Sequence, residues 1–333
     1  ALFEDIRASG CAGCVLFSWQ DEWFKQAWNA KLTVDKNNIV NWSDAQTNEQ
    51  FYGLLTFDPG WEQSVCYPDG DLSDWADAER AAGGGGFSVA VQQDEKYLYF
   101  LISKEGWRPG EQELLVALDV TPKSGAFSYG DLSFSRAADF MLSIRDETDA
   151  ALLVQEYYDT NLSIYAWDSS AAILATPERK DNPVFCVAVM GSDSRHTYLG
   201  ANGKAITTDA LTVETGKLVY GNGNPSAEEF NSLADYCFAG DTVEVRLAWQ
   251  LLNFYDPPTA QVRDDYYEDY KIEGLPIRQI FLEGFCLERS GGNLVSATGW
   301  GAYALQTWKE PTYHERLKQS YYIMQSAFGA AAG

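Results

Sequence analysis

The chain has 333 residues and a formal net charge of −24, because 48 aspartates and glutamates outnumber 24 lysines and arginines. This acidity argues against binding to nucleic acids or anionic membrane surfaces, since few cations could replace phosphate counterions. Hydrophobic residues make up 46% of the chain, which allows a packed core and argues against wholesale disorder. With 11 tryptophans, 19 tyrosines and only two histidines, the composition favours a protein that handles carbohydrate.

Residues 1–60 are expected to form a helix, a buried strand and a polar linker. Apolar residues recur at helical spacing from Leu2 to Ile6, and Gly10 stands where a helix C-cap would. The apolar run 14–17 is typical of a strand covered on both faces, as in a parallel sheet. A single such unit lacks neighbours, and the sequence starts without Met. Either other chains supply these neighbours, or the unit is the remnant of a domain that was mostly removed from a longer protein.

From about residue 61 the pattern changes to short strands. Apolar and polar residues alternate through 87–92, a short turn follows, and 97–102 is a second β run. Similar segments continue to about residue 287, separated by Gly, Asp, Asn and Pro. This pattern predicts an antiparallel β-sandwich over 61–310.

The last segment, 311–333, is expected to be a C-terminal helix with a short tail. Thr312 and Glu315 have the spacing of a capping box. An apolar stripe would then run along one face of the helix. The residues of this stripe are Leu317, Tyr321, Met324 and Phe328.

Three aspartates in one short loop are candidate calcium ligands. Asp69, Asp71 and Asp74 lie within six residues, and Ca²⁺ prefers carboxylate oxygens. The alternative is a turn capped by the aspartates, with Trp75 in the core. A structural calcium is thus a possibility, and no cofactor is required.

Other motifs are incomplete. Cys11 and Cys14 form a lone C-x-x-C pair, which we interpret as two thiols rather than a metal site. The glycine run 83–86 lacks the Lys-Ser/Thr of a P-loop, so it predicts a flexible turn.

The predicted sandwich resembles a known family. An Asp-Gly-x-Leu-x-Asp-Trp opening at 69–75, the Tyr-Leu-Tyr-Phe run at 97–100 and Leu-Asp at 118–119 are similar to the family 9 carbohydrate-binding module and related DOMON-like sandwiches. The similarity covers roughly residues 65–290. It implies a sandwich that binds sugars through aromatic rings, sometimes with structural calcium. Haem, which some relatives ligate by Met and His, is not expected with three Met and two His.

The segment 13–23 resembles the last strand of a glycoside-hydrolase (β/α)₈ barrel. The resemblance makes Trp19 a candidate sugar contact and Asp21 and Glu22 candidate catalytic acids. Retaining glycosidases need two carboxyl groups about 5–5.5 Å apart, usually from different strands. Two sequence neighbours cannot supply that geometry alone, so their role would be confined to the intact parent.

Tryptophan and tyrosine rings in loops or at strand ends are the other candidate sugar contacts. Such rings stack on the C–H faces of pyranoses, while carboxylates accept hydrogen bonds from sugar hydroxyls. Rings in periodic apolar segments, at Trp75, Tyr99 and Trp249, are assigned to the core. Besides Trp19, the candidates are Trp107, Trp167, Tyr266, Tyr267 and Trp300.

Three functions remain open. We favour non-catalytic binding of a polysaccharide or oligosaccharide within a larger bacterial protein, extracellular or on the cell surface. The second is a share in glycoside hydrolysis, with the barrel remnant contributing active-site residues. The third is a structural sandwich that supports the barrel. The expected partners are a glycan and the remainder of the parent polypeptide, with neither nucleic acid nor membrane insertion.

Overall fold

The computed structural model describes residues 2–22, 52–159, 179–193, 196–208, 211–271, 273–310 and 312–332. Its α-helices are α1 (Leu2–Ala8), α2 (Tyr266–Asp269) and α3 (Gln319–Ala332). None of the helices in these ranges is long and apolar enough to cross a membrane. The strands, in chain order, are β1 (Leu55–Pro59), β2 (Glu79–Gly84), β3 (Phe87–Gln93), β4 (Tyr97–Lys104), β5 (Gln112–Asp119), β6 (Ala126–Tyr129), β7 (Leu132–Ala138), β8 (Phe140–Asp146), β9 (Asp149–Gln155), β10 (Phe185–Val187), β11 (Met190–Asp193), β12 (His196–Leu199), β13 (Ala205–Thr208), β14 (Leu211–Val213), β15 (Tyr236–Ala239), β16 (Thr242–Ala248), β17 (Phe254–Asp256), β18 (Gln261–Arg263), β19 (Gly274–Pro276), β20 (Gln279–Glu288), β21 (Leu294–Ala297), β22 (Gly301–Ala304) and β23 (Tyr313–Leu317).

Two antiparallel sheets contribute to one large core. The five-stranded sheet has the order β15–β16–β4–β3–β2. The seven-stranded sheet has the order β10–β9–β8–β5–β20–β21, and β22 also pairs with β20. The core cluster takes residues from both sheets. The predicted mainly β, antiparallel, sandwich-like architecture is confirmed at this level.

The alternation of side chains explains where the core lies. In β3, Phe87, Val89 and Val91 are buried, because successive side chains of a strand point to opposite faces. Burying each such side chain contributes roughly 1.5–3 kcal/mol. In β5 all eight residues are buried, since the outer face of this strand is covered by the β6–β7 hairpin. The predicted core positions of Trp75, Tyr99 and Trp249 are confirmed, at 6%, 1% and 1% exposure.

The turn predicted in the glycine run is present between β2 and β3, at Gly85 and Gly86, whereas Gly83 and Gly84 end β2. Gly85 and Gly86 have φ angles of +59° and +71°. Two successive residues with positive φ are typical of the tight hairpin turns that glycine favours. The hairpin therefore ends in a turn without side chains.

The predicted buried strand at 14–17 is wrong. The preceding helix is confirmed as α1, and Gly10 follows it with a φ of +74°. Val15, however, is 96% exposed and Phe17 is 59% exposed. No residue between 11 and 19 is in a strand, and only Gln20 makes an isolated bridge, to Leu55. The apolar run stays uncovered because the described structure supplies no sheet beside it.

The predicted start of the C-terminal helix is also wrong. Residues 313–317 form β23, which pairs with β1 from Pro59↔Tyr313 to Leu55↔Leu317. The Thr312 backbone amide donates to the carboxylate of Glu95, at 3.0 Å, so Thr312 does not begin a helix. The helix α3 starts six residues later than Tyr313, at Gln319, and packs on α1 through Phe3 and Phe328.

Candidate functional site

The predicted tryptophan contacts fall in different environments. Trp107 is 4% exposed and meets Phe238 edge-on, with ring centroids 5.1 Å apart. A ring buried in this way cannot stack on a polysaccharide, so Trp107 belongs to the core and not to a binding site. Trp300 is half-buried against Phe134. Trp167 lies outside the described residues.

Tyr266 and Tyr267 are part of a group of four rings, which we call the tyrosine cluster: Tyr157, Tyr266, Tyr267 and Tyr270. The centroid distances are 4.8 Å for Tyr157–Tyr267, 5.4 Å for Tyr266–Tyr267 and 5.7 Å for Tyr266–Tyr270. Tyr157 and Tyr266 are buried, Tyr267 is half-buried, and Tyr270 is 63% exposed. The cluster is thus a packed base of rings with one ring at the surface.

The short helix α2 explains why these rings converge. The side chain of Asp265 caps α2 by accepting a hydrogen bond from the Tyr267 amide, at 3.1 Å. At the other end Tyr270 has a φ of +59°, and its amide donates to the Tyr266 carbonyl at 2.8 Å. This left-handed turn folds Tyr270 back against Tyr266. It costs a residue other than glycine roughly 1–2 kcal/mol, so the ring occupies a position that the backbone does not favour by itself.

Asp265 also fixes the base of the cluster. Its side chain is fully buried, and the Tyr157 hydroxyl donates to its Oδ1 at 2.9 Å. Lys180 forms an ion pair with its Oδ2. Burial, and then this hydrogen bond to Asp265, raise the pKa of Tyr157, so the phenol stays protonated and acts as the donor. One carboxylate therefore holds a ring, a helix start and a lysine together.

The rim of the tyrosine cluster is polar. The Lys123 ammonium lies 3.2 Å from Asp264 Oδ1 and 3.0 Å from Glu268 Oε2. These hydrogen bonds, that to Glu268 first, raise the pKa of Lys123 and keep it charged. Lys123 follows β5 and Lys180 precedes β10, so three chain segments meet at this rim. Exposed aromatic surface beside hydrogen-bond donors and acceptors suits a ligand that has both C–H faces and hydroxyl groups.

The loop of three aspartates adopts the arrangement of a capped turn. Asp69 Oδ1 accepts from the Asp71 amide at 2.8 Å, and Asp71 Oδ1 accepts from the Ser73 amide at 2.9 Å. The Trp75 indole N–H donates to Glu244 at 2.8 Å from within the core. Partial desolvation, followed by the nearby charge of Asp69, raises the pKa of the Asp74 carboxyl.

In these contacts the carboxylates of Asp69 and Asp71 accept hydrogen bonds from backbone amides of the turn, and they do not converge as metal ligands. Over the described ranges, no group of three or more His, Cys, Asp or Glu is arranged to hold a metal ion. Calcium at Asp69, Asp71 and Asp74 therefore stays a prediction without geometric support. The two thiols of Cys11 and Cys14 are free, the first exposed and the second half-buried.

The segment around Trp19 is tied to the end of the chain. Trp19 is 58% exposed and meets Tyr321 edge-on, with centroids 6.1 Å apart. Asp21 is 2% exposed and accepts from Lys318 Nζ at 2.6 Å and from the Gly53 amide at 2.9 Å. These contacts give Asp21 a structural role. They give no support for a catalytic role of Asp21 or Glu22.

Sequence reasoning found two of the four rings and none of the groups that hold them. Tyr270 belongs to the same acidic, aromatic stretch as Tyr266, and this repetition of tyrosines was the available signal. Tyr157 lies just after β9, and its hydroxyl donates to Asp265 over a separation of 108 residues. Comparisons with protein-family models, curated proteins and solved structures gave no match for this chain.

Proposed function

We propose that this chain is a non-catalytic carbohydrate-binding sandwich of DOMON-like type, and that the tyrosine cluster is its sugar-contact site. The observation that carries the proposal is the exposed ring of Tyr270, which meets Tyr266 edge-on in a cluster whose rim has charged side chains. Its open surface would stack on the C–H face of a pyranose, and burial of that ring would supply affinity. The role fits a module of a larger extracellular or cell-surface protein.

The charges around the cluster favour a neutral glycan. Asp264 and Glu268 lie at the rim, and the chain as a whole carries a formal net charge of −24. Such a field repels polyanions, while Lys123 and Lys180 are already paired with carboxylates. Sugar hydroxyls both donate and accept, so they suit a rim that presents both kinds of group.

A second candidate function is structural support for the remainder of a parent polypeptide. The observation in its favour is that Trp107, Trp249 and Trp75 are buried in the described structure. It predicts that the tyrosine cluster touches no sugar. A share in glycoside hydrolysis would depend on Trp19, Asp21 and Glu22, for which the structural contacts above offer no catalytic support.

Affinity electrophoresis and calorimetry on the 333-residue chain test the proposal. The probes are barley β-glucan, xylan and galactomannan, with polygalacturonate as the anionic comparison. We expect retardation by a neutral glycan, with Kd between about 1 mM and about 1 μM. Tyr270→Ala should weaken binding by about tenfold or more, equivalent to about 1.4 kcal/mol.

The matched control is Tyr198→Ala, because Tyr198 is also exposed, at 52%, but lies in β12. This variant should bind as the parent chain does. Absence of retardation on every glycan would overturn the proposal. An equal loss in both variants would remove the tyrosine cluster as its site.

A further inference from the structure

A surface groove of about 530 Å³ lies on the β2–β3 hairpin. Its size falls within the range of small-molecule sites. Three segments form it: the hairpin, the end of β4 and the turn before β16. It is lined by Arg80, Gly83 to Ser88, Ser103, Glu105 and Asp241.

The floor of this groove is a row of small residues that crosses the five-stranded sheet. Gly83 pairs with Ser88, and Ser88 with Ser103, on the neighbouring strands β2, β3 and β4. Directly opposed residues share one face of a sheet. The neighbouring Val89 and Ile102 are in the core, so the row faces outwards. Three strands spaced about 4.8 Å apart give it a length of about 10 Å.

The glycines keep the groove open. A Cβ atom at Gly83 would lie 3.1 Å from Arg80 Cδ, and one at Gly86 would lie 3.2 Å from Glu105 Oε2. The two charged side chains therefore lie close to the backbone of the hairpin. Larger residues in the run 83–86 would push these side chains away and fill the space between them.

The polar groups of the groove are available to a ligand. In the part of the chain that the structure describes, the side chains of Arg80 and Glu105 make no hydrogen bond or ion pair. Asp241 uses one oxygen, Oδ2, to accept from the Gly106 amide at 3.1 Å. Ser103 accepts from Thr242 at 3.2 Å, which leaves its own hydroxyl hydrogen to donate.

We infer that this groove, defined by Arg80, Ser88, Ser103, Glu105 and Asp241, is a second binding site for a neutral oligosaccharide segment. A guanidinium donates to sugar oxygens, the two carboxylates accept from sugar hydroxyls, and the serines do both. The glycine run 83–86 has no side chains, so it leaves room for an extended chain across the sheet. The inference rests on the proposed function, since it assigns the same ligand class to a site with no exposed ring.

Hydrogen exchange with mass spectrometry locates binding at each site separately. The full chain is measured alone and with cellohexaose, xylohexaose or mannohexaose, and with oligogalacturonate as the anionic probe. We expect a neutral hexasaccharide to slow exchange in the peptide that covers Gly84–Ser88, as well as in the one that covers 264–270. Arg80→Ala should abolish the first effect and keep the second, and Ser88→Leu should do the same by filling the groove.

The matched control is Arg278→Ala, because Arg278 is another exposed arginine without a side-chain partner among the described residues. It should leave both effects unchanged. Slowed exchange only at 264–270, with Arg80→Ala binding like the parent chain, overturns the groove and leaves the proposed function standing. Slowed exchange only at Gly84–Ser88 supports the groove and overturns the tyrosine cluster. No effect of any neutral sugar, or an effect of oligogalacturonate alone, overturns the inference.

Discussion

Lys318 donates to Asp21 over 2.6 Å and thereby links the first described segment of the chain to the residue after its last strand. The side chain of Asp21 is 3% exposed and that of Lys318 is 19% exposed. The amide of Lys318 also donates to the Leu54 carbonyl, at 2.8 Å, beside the β1–β23 pair. Together with the β1–β23 pairing, this contact joins the first described segment of the chain to a segment that follows the two large sheets.

Removing one partner of this ion pair should destabilise the chain. Lys318→Met leaves the Asp21 carboxylate buried without its cation, and such a change typically costs about 3–5 kcal/mol. The double variant Asp21→Leu with Lys318→Met removes both charges and should recover most of that loss. Urea denaturation of the parent chain, both single variants and the double variant measures the free energies of unfolding. A loss below about 0.5 kcal/mol in Lys318→Met would show that the pair contributes little.

Glu244 should make stability depend on pH. It is 1% exposed, and burial raises the pKa of its carboxyl from 4.5 to about 7, with Asp69 adding a smaller repulsion. The folded state therefore holds this proton more tightly than the unfolded state does. The resulting stabilisation is complete below about pH 4.5 and is lost as the pH rises through about 7, an effect of up to about 3 kcal/mol.

The variant Glu244→Gln isolates this contribution. Its carbonyl still accepts from the Gly70 amide, but the Trp75 indole N–H loses an acceptor. We expect Glu244→Gln to be less stable than the parent chain at low pH, and its stability to decline less between about pH 5 and about pH 8. Thermal unfolding across this range gives the slope of stability against pH for the parent chain and for Glu244→Gln. The control is Glu310→Gln, because Glu310 is exposed. Equal slopes in the parent chain and Glu244→Gln would refute the assignment.

The parts of the fold that follow from local pattern were predictable. Phe87, Val89 and Val91 alternate with polar residues, and a two-residue period with one apolar face specifies a half-buried strand. The run 14–17 is equally apolar, yet Val15 is 96% exposed. An apolar run indicates which side chains a strand would bury. It does not indicate whether another strand lies beside it to cover them.

The C-terminal boundary and the candidate site depended on long-range contacts. The spacing of Thr312 and Glu315 fits a capping box, but pairing with β1 over more than 250 residues determines the backbone there. The stretch 264–270 predicts an aromatic loop, while Lys180 reaches Asp265 through a contact between residues 85 apart. Such contacts leave no local signal in a single sequence.

Gly301 should be among the least replaceable residues of the sandwich. A Cβ atom at this position would lie 1.7 Å from the Ala81 carbonyl oxygen, where β2 of one sheet meets β22 of the other. Backbone cannot move aside as a flexible side chain does, so Gly301→Ala should destabilise the chain by several kcal/mol or prevent soluble expression.

The control for Gly301→Ala is Gly329→Ala in α3, where no atom lies within 4 Å of the added Cβ. Replacing glycine by alanine inside a helix stabilises by about 0.5–1 kcal/mol. Thermal unfolding should therefore shift downwards in the first variant and slightly upwards in the second. Equal, small shifts would mean that β2 and β22 are not in close contact in solution.

Asp265 should position the tyrosine cluster without touching the sugar. Asp265→Ala removes the acceptor of the Tyr157 hydroxyl, the cap of α2 and the partner of Lys180. The loss of a helix cap alone costs about 1 kcal/mol. We expect weaker glycan binding together with a changed near-ultraviolet circular dichroism signal from the tyrosines.

Two comparisons separate this positioning role from general destabilisation. Asp265→Asn keeps the side-chain carbonyl that caps α2 and accepts from Tyr157, so it should retain much of the binding. Tyr157→Phe removes only the hydroxyl and should weaken binding less than Asp265→Ala, because the ring still packs 4.8 Å from Tyr267. Full binding by Asp265→Ala at an altered dichroism signal would mean that the arrangement of these rings does not matter for the ligand. In that case affinity would have to come from groups outside the tyrosine cluster.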